Sequence, residues 1–388
     1  MISHLVLHLQ SVKLCKTSLF SNIFLTFVKS ITYLQFSSCV FIIYHKSKKQ
    51  SMNRLLINCI NNRLKNSLND SEHSLGLFGG KMGLCIYFYM LDYRKSNKNF
   101  KVIAEKLLEQ VISQLHTIKS IDIENGLAGI GLAISFLLKK DIIKGNVNTV
   151  LSDIDDEIFK QISFRNFDKD PKTLIQILFY IYIRKESTSG ELDYFFNELS
   201  IYIINLLHSH CEHFIEKSDT TFSIYTQLPL FLYALGKVYE QNVYNIKIKK
   251  IIYEITPFII SKNPPLDSIK LQLIWGISSV NQQIKNIKLS HYCNFLASQI
   301  NIEVLINEFY DKNMFFEHGL AGIALLMVTL PSAIKQQINT NLFFEKFIDK
   351  INESAIWKLN DSDLSKINLG LFGYTGVILI TNLAEELV

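Results

Sequence analysis

Four segments of this chain repeat one another, and such repetition constrains the fold more than any other feature of the sequence. Each segment has Gly-Leu-x-Gly followed by an apolar run, and the leading glycines are Gly76, Gly126, Gly319 and Gly370. The first two and the last two are about 50 residues apart, and the middle gap fits four periods of about 48. Three degenerate copies are therefore expected near residues 174, 225 and 275, where the apolar runs 174–183, 228–235 and 271–280 occur.

Each period has room for two helices. The run after each turn is apolar on all faces for about ten residues, which predicts a buried inner helix. Residues 100–115 show the other type of segment, with apolar side chains at helical spacing and Lys and Glu between them, which predicts an outer helix. The sequence therefore predicts an all-α repeat fold of about seven helix pairs.

Composition excludes several classes of protein. The chain has 388 residues, 48% of them hydrophobic, which is typical of a globular protein with a large core. Its formal net charge of +5 is dispersed, without a basic stripe carrying interleaved aromatic residues, so we expect no nucleic-acid partner. Six widely spread cysteines without a Cys-x-x-Cys pair argue against a disulfide framework and favour a cytoplasmic location.

Residues 1–51 differ from the rest and are treated as a separate segment. Between residues 19 and 44 the only charged side chain is Lys29, so this stretch is long and apolar enough for a membrane anchor. Alternatively, Met52 begins a polar stretch that leads directly into the first repeat, and residues 1–51 are a wrongly assigned start. We favour the second interpretation, with the functional domain at residues 52–388 and membrane attachment only if residues 1–51 are part of the native chain.

Helix pairs that open on Gly-Leu-x-Gly turns resemble the lanthionine synthetase C-like (LanC-like) family over residues 52–388. The resemblance implies an (α/α) toroid or barrel of about seven helix pairs, arranged as an inner and an outer ring. It also implies a role in ribosomal peptide modification, in which the family's cyclases use zinc to activate a cysteine thiol of a peptide. The expected partners are a peptide substrate or a partner modification enzyme.

The family's zinc ligands are two cysteines and a histidine, and this chain departs from that pattern. Trp275 matches the family's Trp-Cys motif, but Gly276 stands where the first cysteine is expected. Glu317 replaces the second cysteine, and His318 matches the histidine. The family's arginine before the first cysteine falls at Gln272. The resemblance thus implies a degenerate site with no cofactor, and zinc held weakly through His318 is the alternative.

Three residues are the candidate catalytic groups. Asp122 lies four residues before Gly126, where the family has an acid, and Glu317 and His318 precede Gly319. The second repeat also has glutamate at the matching position, Glu124, so we interpret Glu317 mainly as part of the repeat, helping to cap the next helix. A rebuilt acid and base site made by Asp122, Glu317 and His318 is the alternative.

One other cluster has the composition of a metal site. Residues 208–213 read His-Ser-His-Cys-Glu-His, and their spacing would place two pairs on opposite sides of one helix. The cluster lies in an outer helix or at its end and has no partner cluster elsewhere, so we predict no metal site there.

Three functions remain open from the sequence. The leading hypothesis is a LanC-like protein that has lost zinc-dependent cyclisation and binds a peptide or a partner enzyme. The second is an active cyclase or hydrolase that uses the rebuilt site. The third is a helical scaffold for protein interaction, which predicts that His318→Ala has no effect on function.

Overall fold

Every regular element in the described part of the chain is a helix. The computed structural model describes residues 60–62, 64, 74–95, 98–164, 170–216, 220–358 and 370–388. Residues 1–51, the start at Met52 and the alternative anchor at 19–44 therefore lie outside the described residues. None of the described helices is long and apolar enough to cross a membrane.

Seven helices of the described ranges are buried on nearly all faces. Their cores are the apolar runs of the repeats, and long apolar segments of this kind are stable only when packed on every side. They are α1 (Lys81–Lys95), α3 (Leu127–Lys139), α5 (Pro171–Lys185), α8 (Gln227–Glu240), α10 (Asp267–Ile284), α13 (Leu320–Thr329) and α16 (Tyr374–Leu387).

Amphipathic helices alternate with the buried ones along the chain. Each buries one apolar side and leaves its other side exposed to solvent, which is the pattern predicted for outer helices. They are α2 (Lys98–Ser113), α4 (Val147–Phe164), α6 (Glu191–Ser209), α7 (Cys211–Glu216), α9 (Asn245–Ser261), α11 (Ile287–Gln299), α12 (Ile302–Asn307), α14 (Ser332–Ile338) and α15 (Thr340–Glu353). Two short 3-10 helices, Leu115–Thr117 and Ala355–Lys358, also occur, and the described residues 60–62 and 64 are helical.

The chain forms two compact units. The described residues of the first unit lie between 60 and 156 and between 348 and 388, so it combines an early and a late part of the chain. In its described part, α1 packs against α2, α3 and α16. The second unit comprises residues 157–347, where α8 packs between α5 and α10, and α10 contacts α11 and α13.

In two of the four Gly-Leu-x-Gly repeats, the glycine that precedes the buried helix is not the leading glycine that the repeat suggested. Gly126 and Gly319 are the N-caps of α3 and α13, as expected. In the first and last repeats, however, the helix follows Gly80 and Gly373, and the leading glycines Gly76 and Gly370 lie earlier in the turn. The sequence match between Gly-Leu-Phe-Gly and Gly-Leu-Ala-Gly was therefore out of register with the helix starts.

A shared loop explains this register. In the first, second and sixth repeats, the residue that follows the capping glycine donates its N–H to a carbonyl seven residues earlier, as Lys81 does to Ser74 at 2.8 Å and Leu127 to Ser120 at 2.9 Å. A Cβ on Gly80 would lie 2.0 Å from the Ser74 carbonyl oxygen. The capping position therefore requires glycine for close packing of the backbone.

The degenerate repeats start their helices by other means. Asp170 caps α5, accepting hydrogen bonds from the N–H groups of Lys172 and Thr173, both at 3.2 Å. Helix α10 begins at Asp267, eight residues before the expected position at 275. The carboxylate of Glu308 explains this early start, since it accepts hydrogen bonds from the N–H groups of Asp267 and Ser268 at 2.6 and 3.1 Å.

Candidate functional site

Asp122 closes the loop that leads into α3. One carboxylate oxygen accepts hydrogen bonds from the N–H groups of Asn125 at 2.7 Å and Gly126 at 3.1 Å. The other oxygen accepts from the hydroxyl of Ser120. Because both oxygens hold the loop in place, the contacts of Asp122 are those of a loop-closing residue, and the side chain is only half exposed.

Glu317 and His318 lie at the matching loop before α13 and contact each other. Glu317 Oε1 is 3.3 Å from His318 Nε2, with side-chain exposures of 35% and 65% respectively. This contact is an ion pair when the imidazole carries both protons. The pair therefore presents a carboxylate and an imidazole to solvent at the start of a buried helix.

Residues 222–224 form a short segment that is bound to this loop, and we call it the 222–224 segment. His318 Nδ1 donates to the carbonyl of Phe222 at 3.2 Å, which places a proton on Nδ1 because a carbonyl can only accept. The N–H of Ile224 donates to the carbonyl of Glu317 at 3.0 Å. The imidazole of His318 is thus held in one orientation.

The contact that Glu317 shares with the second repeat is made by its backbone carbonyl and not by its carboxylate. The carbonyl of Glu124 accepts from the N–H of Phe78 at 2.9 Å, just as the carbonyl of Glu317 accepts from Ile224. The Glu317 carboxylate contacts His318 and forms no hydrogen bond to the start of α13. The prediction that this residue belongs to the repeat is compatible with these contacts, but the predicted capping by its side chain is wrong.

Gln272 joins the same cluster from α10. It is completely buried, and Nε2 donates to the carbonyl of Ser223 at 2.5 Å. Its Oε1 has no hydrogen-bond partner among the described residues. A buried acceptor without a donor costs free energy, so this amide is an exception that packing alone does not explain.

Gly276 lies one turn further along α10, directly against α8. A Cβ at this position would be 2.5 Å from the carbonyl oxygen of Pro229 and 2.9 Å from its Cα. Real Cβ atoms do not approach backbone so closely, so a side chain here would push α8 and α10 apart. The neighbouring Trp275 stacks on Tyr233 with ring centroids 4.0 Å apart and belongs to the core.

The three predicted catalytic residues are thus only partly brought together. Glu317 and His318 are in contact within the second unit, whereas Asp122 belongs to the first unit. Convergence of all three in one pocket stays a prediction.

Zinc does not fit the donor set at the positions matched to the family. Gly276 offers no ligand atom and has no space for one, and the Nδ1 of His318 is bonded to a carbonyl. Across the described ranges, no group of three or more His, Cys, Asp or Glu side chains could hold a metal ion.

The histidine and cysteine cluster at 208–213 does not form two faces of one helix. Helix α6 ends at Ser209, and α7 begins at Cys211. His208 Nε2 is 3.1 Å from Glu254 Oε2 on α9, while the buried thiol of Cys211 contacts the carbonyl of Leu207. Burial raises the pKa of the Cys211 thiol to about 12, so it is a poor metal ligand at neutral pH.

Sequence reasoning missed the 222–224 segment and the role of Gln272 within the cluster. Phe222 and His318 are 96 residues apart in the sequence. No local motif marks their contact, although the mismatch of Gln272 with the family's arginine did single out that position.

Comparisons with known proteins agree with the fold. The family model described as "Lanthionine synthetase C-like protein" matches residues 38–181. Among solved structures, "Nisin cyclase" is similar with a TM-score of 0.63 at 14% sequence identity, covering 88% of this chain and 95% of that chain. No curated protein matches the chain. The likeness to nisin cyclase confirms the predicted fold class, an all-α toroid of helix pairs.

Proposed function

We propose that this chain acts in ribosomal peptide modification without zinc-dependent cyclisation, and the match of residues 38–181 to the lanthionine synthetase C-like model and the likeness of its fold to nisin cyclase support this. It binds a peptide or a partner modification enzyme. The observation that carries the proposal is the space around Gly276, which is filled by the backbone of Pro229. This packing leaves no room for a thiolate at position 276, where the resemblance to the family would place one.

The exposed pair of Glu317 and His318 supports the binding role. An ordered imidazole beside a carboxylate offers a donor and an acceptor to a peptide backbone or to polar side chains. The 222–224 segment holds the imidazole before any ligand arrives, which lowers the entropy lost on binding. Gln272, with its buried unpaired oxygen, lies behind the same segment.

The experiment uses the full chain and a synthetic peptide with one cysteine and one dehydroalanine. Ring formation is followed as loss of alkylatable thiol, with and without added zinc, and binding is followed by the fluorescence anisotropy of a labelled copy. We expect saturable binding and a rate of ring formation equal to that of the peptide alone. His318→Ala weakens binding, whereas His291→Ala, at an exposed position on α11, does not.

Two results would overturn the proposal. Stoichiometric zinc binding that is lost on His318→Ala contradicts the claim that the cyclase site is closed. The absence of any binding, with no difference between His318→Ala and the unchanged chain, assigns the protein to the scaffold class.

A rebuilt acid and base site is the second candidate, and the contact of 3.3 Å between Glu317 Oε1 and His318 Nε2 is the observation that favours it. A carboxylate that orients an imidazole is a common arrangement for proton transfer. This candidate predicts zinc-independent acceleration of ring formation or peptide hydrolysis that both Glu317→Gln and His318→Ala abolish. The same peptide assay therefore separates the two candidates.

A further inference from the structure

The outward sides of α9 and α11 carry an unusual number of apolar side chains. These two helices hold half of the exposed large hydrophobic residues of the described chain, with Ile246 90% exposed and Tyr253 51% exposed. The others are Phe258, Ile260, Ile287 and Phe295. Scattered exposed apolar residues are normal, but a concentration on adjacent helices indicates a binding surface.

The two helices form one continuous surface within the second unit. They pack against each other, and two hydrogen bonds join them near the end of α9. Asn286 Nδ2 donates to Thr256 Oγ1 at 3.0 Å, and the Tyr292 hydroxyl donates to the Lys262 carbonyl at 2.6 Å. The apolar residues of both helices therefore belong to one patch, which we call the α9–α11 face.

Positive charge is concentrated on the same face. Helices α9 and α11 and the residues that flank them carry one acidic residue, Glu254, and six lysines: Lys247, Lys249, Lys250, Lys262, Lys285 and Lys288. Six lysines and one glutamate leave an excess of five positive charges, which equals the formal net charge of +5 of the whole chain. The glutamate is itself held between His208 and Lys250, at 3.1 and 3.7 Å.

We propose that the α9–α11 face binds the surface of an anionic phospholipid bilayer. Helices that lie on membranes carry lysines that contact lipid phosphates and aromatic or aliphatic side chains that enter the headgroup region. Along α9 the exposed residues alternate in this way, from Ile246 through Lys249 and Lys250 to Tyr253 and Phe258.

The choice of a bilayer over an acidic protein rests on the exposed aromatic and aliphatic side chains that lie among the lysines, and the type of cation is compatible with it. Protein interfaces are enriched in arginine and depleted in lysine, because the planar guanidinium forms paired hydrogen bonds with carboxylates. The α9–α11 face has six lysines and no arginine. Lysine suits a fluid layer of phosphates, which requires charge and not fixed geometry.

Vesicle flotation with the full chain tests the proposal. The probes are vesicles of phosphatidylcholine alone and vesicles that also contain about 30 mole per cent phosphatidylglycerol, an anionic lipid that gives the surface a negative potential. We expect binding only to the anionic vesicles, and its loss in high salt because the charges are screened. The double variant Lys249→Gln, Lys250→Gln lowers the partition coefficient by about thirtyfold.

The matched control is Lys144→Gln, Lys160→Gln, which makes the same charge change at exposed positions outside the face. Equal weakening by both pairs means that net charge alone attracts the chain, and equal retention by both means that another segment, such as residues 19–44, binds the lipid. Either result overturns the proposal. Binding to a glutamate–tyrosine copolymer without binding to anionic vesicles overturns it too, in favour of an acidic protein partner.

Discussion

At Gly276, close packing of two helices excludes any side chain, including the thiol that the family has there. Alanine in place of a helical glycine raises helix propensity by about 1 kcal/mol, so Gly276→Ala would stabilise an unobstructed helix. Here the added Cβ meets the Pro229 backbone at 2.5 Å, and we expect the free energy of unfolding to fall by about 1–3 kcal/mol. Urea denaturation measures the change.

The control for this prediction is Asn294→Ala, an exposed position on α11. Its effect should stay within about 0.5 kcal/mol, as for most surface substitutions. A stable Gly276→Ala variant, equal to or above the unchanged chain, would show that the contact between α8 and α10 yields easily and would remove the steric argument against a thiolate there.

A second prediction for a single residue concerns His318 and its hydrogen bond to the carbonyl of Phe222. His318→Ala removes the Nδ1 donor, and we expect faster hydrogen exchange at the Ile224 amide and a loss of about 1 kcal/mol or less, since the side chain is 65% exposed. His318→Asn keeps an N–H donor and should restore slow exchange. Asparagine already occupies the equivalent position in the second repeat, at Asn125.

Unchanged exchange at Ile224 in His318→Ala would mean that the 222–224 segment is held without the imidazole. The histidine would then not position this segment, and only its Nε2, which contacts Glu317, would remain relevant to ligand binding.

At the scale of secondary-structure elements, the cap at the start of α5 allows a prediction about stability. Asp170 accepts hydrogen bonds from two N–H groups at the start of α5, which has no glycine turn. Asp170→Ala should therefore lower the free energy of unfolding by about 1 kcal/mol, while Asp170→Asn, which keeps the accepting oxygen, should change it little. Thermal unfolding of the two variants distinguishes a cap from a simple surface charge, because loss of charge alone would affect both equally.

The elements themselves were predictable, whereas their starts were not. A run such as 320–329 is apolar on every face, so burial follows from its composition, and all seven predicted runs lie in buried helices of the described chain. The start of α10 depends on Glu308, which is about 40 residues away in the sequence. A cap supplied over that distance leaves no local signal.

The candidate site was predictable to the same extent. Glu317 and His318 are neighbours in the sequence, so a contact between their side chains could be expected. The third partner, Phe222, comes from another repeat, and only the folded second unit brings it to His318. Pairs of carbonyl and N–H groups carry no side-chain signature, so sequence reasoning assigned a capping role to Glu317 and did not detect that its carbonyl accepts from the N–H of Ile224.

The burial of three thiols predicts how the free energy of unfolding of the whole molecule changes at high pH. Burial raises the pKa of Cys85 and of Cys293, and raises that of Cys211 to about 12. In the unfolded chain these thiols ionise near pH 8.5, so the unfolded state gains stability as the pH rises above that value. We expect the contribution of these thiols to the free energy of unfolding to be constant between about pH 7 and pH 8 and to fall between about pH 8.5 and pH 12.

The measurement is urea denaturation at pH 7 and pH 10, combined with thiol labelling of the native chain. Cys211→Ser, which replaces the thiol by a hydroxyl that does not ionise in this range, should reduce the alkaline loss. Rapid native-state labelling of Cys85, Cys211 or Cys293 would contradict the burial on which the prediction depends.

The composition of the first unit has a consequence for synthesis on the ribosome. The second unit is a continuous segment, residues 157–347, so all its internal contacts are available once that segment has emerged, whereas the first unit also contains contacts with residues 370–388. The backbone of Phe372 bonds to that of Phe78, and α16 packs on α1, so the earliest turn of the described chain acquires its neighbour from the last helix to be made. The middle of this protein should therefore mature before its beginning, reversing the usual N-terminal-first order of folding during translation.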